Sequence, residues 1–177
     1  MNILFHICCA PCALYPYFRL KEEGMEPTGY FYNPNIHPYQ EYKKRLDTVR
    51  EFANRVGLEV HYHDGYDLDQ FLSRVVGTGP GRCEQCYRMR LDSACKAARE
   101  RGISLYTTSL LYSKYQKHDL IGGIGREMAS EHGIELYYED FRKGWREGIV
   151  ESKAMGLYRQ QYCGCIYSER DRYRKPR

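Results

Sequence analysis

The sequence predicts an α/β fold: one parallel sheet with helices on both faces. Three observations carry that expectation. Short apolar runs alternate with longer stretches of helical spacing, and five such runs occur. Strand–helix alternation of this kind implies right-handed crossovers between parallel strands. At 177 residues, 42% hydrophobic and 28% charged, the chain has the length and balance of a single globular domain spanning 1–177.

The elements follow in order. NILFHIC (2–8) reads as a short buried strand, and PCALYPYFRLKEEG (11–24) as a helix opened by Pro11 and closed by Gly24. TGYFY (28–32) is a second strand, ending in the loop NPNIHP. From Tyr39 to Val56 apolar residues recur at helical spacing (Tyr42, Leu46, Val49, Phe52, Val56), and Gly57 suits the position just past a helix end. LEVHYH (58–63) is the third strand. A short helix and the glycine-rich VVGTGPGR then lead into a long helix, 83–101, closed by Gly102. ISLYTTS (103–109) is the fourth strand, His118–His132 a helix and IELYYE (134–139) the fifth strand. From Asp140 onward the chain reads as helical or irregular. No repeat, low-complexity tract or linker interrupts it.

No apolar run approaches the roughly 20 residues a membrane helix needs. MNILFHI lacks a basic leader and is shorter than a signal peptide's apolar core with its flanks. The expected location is cytoplasmic, away from membranes, where thiols stay reduced and structural disulfides are rare. That makes the eight cysteines informative. Cys95 stands alone and reads as a plain buried thiol; the others form Cys8-Cys9-x-x-Cys12, Cys83-x-x-Cys86 and Cys163-x-Cys165.

In open parallel sheets, sites form outside the carboxyl ends of the strands. Cys8 and Cys9 sit at such an end, with Cys12 in the first turn of the next helix. Adjacent strand residues face opposite ways, so both can serve one site only if the chain has already left strand geometry there. Cys83 and Cys86 share a face at a helix N-terminus, which favours the metal-binding thiolate. Gly77, Gly79 and Gly81 let the preceding loop fold closely. Four thiolates from two regions fit an iron–sulfur cubane or a tetrahedral zinc, and a metal-free dithiol site is the third possibility. The wide separation of the two pairs and the vicinal Cys8-Cys9 favour the iron–sulfur reading over a zinc ribbon. A disulfide across Cys163 and Cys165 would close a very small, labile ring, which suggests a redox pair; further metal ligation or simple packing are the alternatives.

Other features narrow the function. The turn after the first strand is CCAPC, without the glycines of a nucleotide-phosphate loop; Gly122, Gly123 and Gly125 read as slack inside a helix. Residues 142–177 carry ten Lys/Arg against four Asp/Glu, whereas 1–141 carry seventeen against nineteen. That basic C-terminal segment, which includes the Cys163/Cys165 motif and interleaves Tyr158, Tyr162, Tyr167 and Tyr173, suits RNA phosphates and unstacked bases, or is a solvated tail. Tyr112, Tyr115, Lys117, His118, Asp140 and Arg142 follow the fourth and fifth strands on the site's side and are candidate proton donors. Asn33 and Asn35 are candidates to read a base edge or to cap the next helix. His6 is expected to be a satisfied core histidine.

CCAPC, YNPNIHP, RCEQCYRMRL (82–91), TTSLLYSKYQ (107–116), DFRKGW (140–145) and YRQQYCGC (158–165) together resemble the cobalamin-independent epoxyqueuosine reductases, in that family's order and over residues 8–165. The resemblance implies an adenine-nucleotide α-hydrolase-like (Rossmann-like) fold. It implies an oxidoreductase that reduces epoxyqueuosine to queuosine at the tRNA wobble position, the last step of making that base. It further implies a [4Fe–4S] cluster held by Cys8, Cys9, Cys83 and Cys86, an additional iron ion beside it with Cys12 as a candidate ligand, and Cys163 and Cys165 as a catalytic redox pair. The partners implied are tRNA carrying epoxyqueuosine and an external electron donor. Two other readings compete: a zinc-stabilised RNA-binding module without catalysis, and an ATP-dependent tRNA thiolase, which the missing phosphate loop disfavours.

Overall fold

The computed structural model describes residues 1–63 and 65–174, so the last three residues of the basic C-terminal segment lie outside the described residues. Five strands, β1 (Asn2–His6), β2 (Glu26–Phe31), β3 (Val60–Tyr62), β4 (Leu105–Thr108) and β5 (Glu135–Leu136), form one all-parallel sheet in the order β3-β2-β1-β4-β5. β1 lies at its centre, and Ile3, Leu4, Phe5 and His6 are all fully buried. A strand covered on both faces reads as a continuous apolar run, which is why NILFHI shows no alternation.

The crossovers are α1 (Ala10–Glu22), α2 (Tyr39–Val56), α3 (Leu68–Val75), α4 (Arg82–Glu100) and α5 (His118–His132). Consecutive β2 residues show that both faces are covered: the Tyr30 hydroxyl meets Ser93 on α4 at 2.8 Å, while Phe31 packs on Tyr42 of α2. On the α4 side, α5 seats itself over β4 through a glycine. A side-chain carbon at Gly125 would lie 2.9 Å from Leu136 and 3.2 Å from the Tyr106 hydroxyl, which donates to the Gly125 carbonyl at 2.7 Å. Gly125 is thus a close-approach residue, not helical slack.

The predicted elements are all present, with helices 39–56 and 118–132 matching to the residue. Most strands are shorter at their carboxyl ends than their apolar runs suggested: β1 stops at His6 and β5 at Leu136. The chain has therefore left strand geometry before Cys8 and Cys9, as a shared site requires. His6 is a satisfied core histidine. Its ring nitrogens meet Thr108 Oγ1 at 2.8 Å and the Tyr32 carbonyl at 3.3 Å, and burial, with help from Arg90, lowers its pKa to about 3. Cys95 is a fully buried thiol whose pKa burial pushes up to about 12.

After β5 the chain forms a 3-10 turn (Phe141–Gly144), α6 (Trp145–Ala154), an irregular stretch containing the Cys163/Cys165 motif, and α7 (Ile166–Tyr173). α6 packs against α1 and the 3-10 turn Ser109–Tyr112 because two glycines admit tyrosine rings. A side-chain carbon at Gly144 would sit 2.1 Å from the Tyr15 ring, and one at Gly148 would sit 2.3 Å from the Tyr112 hydroxyl. Tyr112 is 3% exposed and donates to the Trp145 carbonyl at 3.2 Å, so its ring has little room to retreat.

Gly148→Ala gains about 1 kcal/mol of helix propensity, but the forced overlap costs more. We expect a net loss of about 1–3 kcal/mol in urea denaturation. Adding Tyr112→Phe, which removes the colliding oxygen, should recover part of that loss. A double variant no more stable than Gly148→Ala would contradict this account.

Candidate metal centre

The strand order reverses direction between β1 and β4, and open α/β sheets bind ligands in the crevice at such a switch point. Cys8 and Cys9 leave β1 there, and Ser109 leaves β4 beside them. The Cys8 amide donates to Ser109 Oγ at 2.9 Å, and that hydroxyl donates to Cys8 Sγ at 3.2 Å. Cys9 is the N-cap of α1, in extended conformation and with no side-chain capping bond, and Cys12 lies one turn on. The metal-binding atoms of Cys8, Cys9 and Cys12 all fall within 4.8 Å of one another. Gln160 closes the group from the C-terminal segment, its Nε2 standing 2.9 Å from Cys9 Sγ and 3.5 Å from Cys12 Sγ.

The three thiols share protons unevenly. Hydrogen bonding with Cys12 and then with Cys9 holds Cys8 well below the usual thiol range. The same bonding raises Cys12, and burial raises Cys9. Of the three, Cys8 is the sulfur whose ionised, metal-binding form its neighbours favour.

Arg90 supplies the positive charge. It lies on α4 one turn past Cys86, is 3% exposed, and donates from Nη2 to Asn33 Oδ1 at 2.6 Å. Its Nε has no partner, and no carboxylate pairs with it among the described residues. A buried unpaired charge costs several kcal/mol. The negative groups that answer this one are sulfurs, since Arg90 favours the thiolates of both Cys8 and Cys86. Burial otherwise raises Cys86 to about 12.

Cys86 packs with Phe71, Val75 and Cys165, while Cys83 is half-buried against the main core. Neither falls within the tight group of Cys8, Cys9 and Cys12, the only such group among the described residues. Cys163 is exposed and Cys165 buried, so the two sulfurs of that motif face different surroundings. A second buried arginine seats the motif. Arg45 on α2 donates to Glu41 at 2.7 Å, to the Cys163 carbonyl at 2.9 Å and to the Tyr162 carbonyl at 2.9 Å. Tyr158 donates to the other Glu41 oxygen at 2.6 Å, Tyr162 donates to the His37 carbonyl, and the His37 amide donates to the Gly164 carbonyl at 2.8 Å. Gly164 is in the left-handed region (φ 119°) with Arg45, Ile36 and Asn35 crowding its missing side chain, so only glycine fits between the two cysteines.

Several sequence candidates have structural employment. Asn33 neither caps α2 nor faces solvent: it donates to the Ile7 carbonyl at 2.9 Å and accepts from Arg90. Asn35 is buried, with an unpartnered Oδ1. His118 meets the Tyr138 hydroxyl at 2.9 Å and does not cap α5, whose N-cap is Lys117. Asp140 and Arg142 pair locally at 2.7 Å. Tyr112 is buried close enough to Cys12 and Cys9 for their charge to raise its pKa, after burial itself, whereas Tyr115 and Lys117 are exposed. Two of the four interleaved tyrosines, Tyr158 and Tyr162, spend their hydroxyls docking the C-terminal segment.

The sequence model of the family "Epoxyqueuosine reductase QueH" matches residues 3–171. This chain belongs to that family. It is 36% identical to an epoxyqueuosine reductase QueH of Dehalococcoides mccartyi, over 99% of this chain and 96% of that one. It is 35% identical to one from Thermotoga maritima, over 98% and 93% respectively. The family is one of oxidoreductases. Among solved structures, the U34-tRNA thiolase NcsA from Methanococcus maripaludis with its [4Fe-4S] cluster superposes with a TM-score of 0.60 at 15% identity, over 95% of this chain and 61% of that one. That likeness establishes the adenine-nucleotide α-hydrolase-like fold. No helix among the described residues is long and apolar enough to cross a membrane.

Sequence reasoning missed Arg45, Arg90, Ser109 and Gln160. A signal for the first two was present: Arg90 follows Cys86 by one helical turn, and Arg45 lies on the buried stripe of α2 between Tyr42 and Val49. In Arg45→Lys the charge stays but the fork to two carbonyls is lost, at about 1.5 kcal/mol or more. Alkylation of Cys165 in the folded protein should then accelerate at least roughly tenfold, read by mass spectrometry. An unchanged rate would mean the segment is held by other contacts.

Proposed function

We propose that this chain reduces epoxyqueuosine to queuosine at the wobble position of tRNA, converting an epoxide to an alkene with the release of water. Membership of the family names the reaction. The observation that carries it for this chain is the group of three sulfurs at the switch point beside a buried guanidinium that pairs with no carboxylate among the described residues. Such a donor set fits a thiolate-held iron centre: the sulfurs supply soft ligands, and Arg90 offsets part of their negative charge.

In this reading Cys8, Cys9, Cys83 and Cys86 hold a [4Fe–4S] cluster, and Cys12 is left for the adjacent iron. When bound, these groups would supply electrons singly and Lewis acidity to polarise the epoxide oxygen. The chain's own residues do the rest. Cys163, on the exposed side, exchanges with an external donor, and Cys165, packed beside Cys86, faces the centre. Oxidation of the two thiols to a disulfide releases two electrons and two protons. Deoxygenation consumes the same number as the C–O bonds break, leaving the alkene and water, so the dithiol balances the reaction. Ser109 and Gln160 hold the sulfurs of Cys8, Cys9 and Cys12 in place, and Arg45 holds the Cys163–Cys165 backbone.

Protein purified without oxygen should be brown and contain iron and acid-labile sulfide, and Cys86→Ser should lose both; zinc or no metal in the wild type would overturn the proposal. Cys165→Ser should keep its iron and complete a single turnover from a pre-reduced state on tRNA bearing epoxyqueuosine, yet fail to turn over repeatedly with an external dithiol. Loss of that single turnover with iron content intact would remove the relay.

A further inference from the structure

Many cations on this protein are committed to carboxylates. Arg19, Lys21, Lys43, Arg45, Arg50, Arg55, Arg82, Arg88, Lys96, Arg142 and Arg170 all pair with carboxylates. Exposed cations without an ion pair among the described residues are also spread over other helices, among them Lys44, Arg74, Arg99, Arg126 and Lys153, but four of them meet on two neighbouring loops. Lys114, Lys117, Lys143 and Arg146 are exposed, and none forms an ion pair among the described residues. The first two lie in the loop after β4, and the others flank the start of α6.

Aromatic contacts bring the two loops together. Tyr115, 86% exposed, stands edge-on to Trp145 with ring centroids 5.6 Å apart, and the Lys114 ammonium lies 5.8 Å from the centre of the same indole. Trp145 in turn leans on Tyr112 at 5.1 Å, and Tyr112 is the buried ring within electrostatic reach of Cys12 and Cys9. A line of rings therefore runs from open solvent at Tyr115, through half-buried Trp145, to the sulfur group. An exposed tyrosine on a packed indole, ringed by uncommitted cations, has the makings of a stacking platform for nucleobases with phosphate contacts around it.

We infer that the loops carrying Lys114–Lys117 and Lys143–Arg146 form the RNA-docking surface of this protein, stacking an unpaired base on Tyr115 and Trp145 and steering a single-stranded RNA loop toward the sulfur group. This rests on the proposed tRNA substrate. It also relocates the contact expected from the end of the chain. Asp171 of α7 pairs with Arg170 and with Arg82 of α4, both of which lie over the Tyr167 ring, leaving Arg172 and Arg174 as the described arginines at that end without an acidic partner. Lysines could also draw an acidic carrier protein, but such a partner would have no use for exposed stacking rings aligned with a buried centre. Glu147, one residue beyond Arg146, is the nearest exposed acid in sequence and occupies the first turn of α6, where the helix dipole favours it.

The chain has a single tryptophan, so its emission reports on this surface alone. The test titrates the anaerobically purified full chain with an unmodified anticodon stem–loop hairpin, following Trp145 fluorescence and, independently, retention of labelled hairpin on filters over a series of salt concentrations. Binding should change Trp145 emission. Tyr115→Ala should weaken retention roughly tenfold while Tyr115→Phe, which keeps the ring face, binds as wild type. Lys114→Ala, Lys117→Ala and Lys143→Ala combined should flatten the slope of log affinity against log salt by about 2, whereas Arg99→Ala, at the far end of α4, should not change it. All these positions are exposed, and a matching urea midpoint will confirm folding. Retention and slope unchanged in the platform variants, with loss only in Arg172→Ala/Arg174→Ala, would overturn the inference and leave the proposed reaction standing. Retention without any change in Trp145 emission, or poly-glutamate competing as well as hairpin while Tyr115→Ala is silent, would overturn it likewise. A wild type that retains no hairpin would sink the inference together with the tRNA substrate.

Discussion

A guanidinium sits in the interior of this protein with no carboxylate to meet it among the described residues. Arg90 donates to the Asn33 amide oxygen, and its Nε goes unpartnered. Burying a charge this way is tolerable only if negative groups lie close by, and those it favours belong to Cys8 and Cys86. Much of the surrounding architecture serves this arrangement. Asn33 joins Arg90 to the end of β1 through the Ile7 carbonyl, so the same contact that places the cation also ties down the strand from which Cys8 emerges. His6, two residues earlier, is kept uncharged by the burial that Arg90 reinforces.

Topology does the complementary work. The switch between β1 and β4 opens a crevice, and the turn that closes the corresponding crevice around phosphate in nucleotide-binding sheets is here made of CCAPC. Pro11 and the N-cap position of Cys9 start α1 without a side-chain oxygen cap, leaving sulfur where a phosphate loop would place backbone amides. The C-terminal segment then returns to this rim, bringing Gln160 to the thiols and Cys165 to Cys86.

The architecture was largely legible in the sequence because it rests on local signals: apolar periodicity, Pro11 at a helix start, and Gly24, Gly57 and Gly102 past helix ends, all found in the left-handed region. What escaped is long-range. Asn33 looks from sequence like a loop residue that should cap or read a ligand, yet its partners come from β1 and α4. Gly125 looks like slack because Tyr106 and Leu136, which need its bare face, are distant in the chain. Tyr158 and Tyr162 read as candidate stacking rings on a basic tail, but Glu41 and His37 claim their hydroxyls. Cysteine spacing pointed to a sulfur site without revealing that Cys8, Cys9 and Cys12 would stand closest. Charges on the apolar stripe of a helix, such as Arg45, were the overlooked clue.

Arg45 takes hold of the Cys163–Cys165 stretch by its main-chain oxygens, and the His37 amide adds a third hold of the same kind. None of these bonds involves sulfur. The anchorage therefore runs through backbone atoms and leaves both sulfurs out of it. A mobile arm would have to find its berth again after every change of state, whereas this one is moored by the part of the residue that never changes.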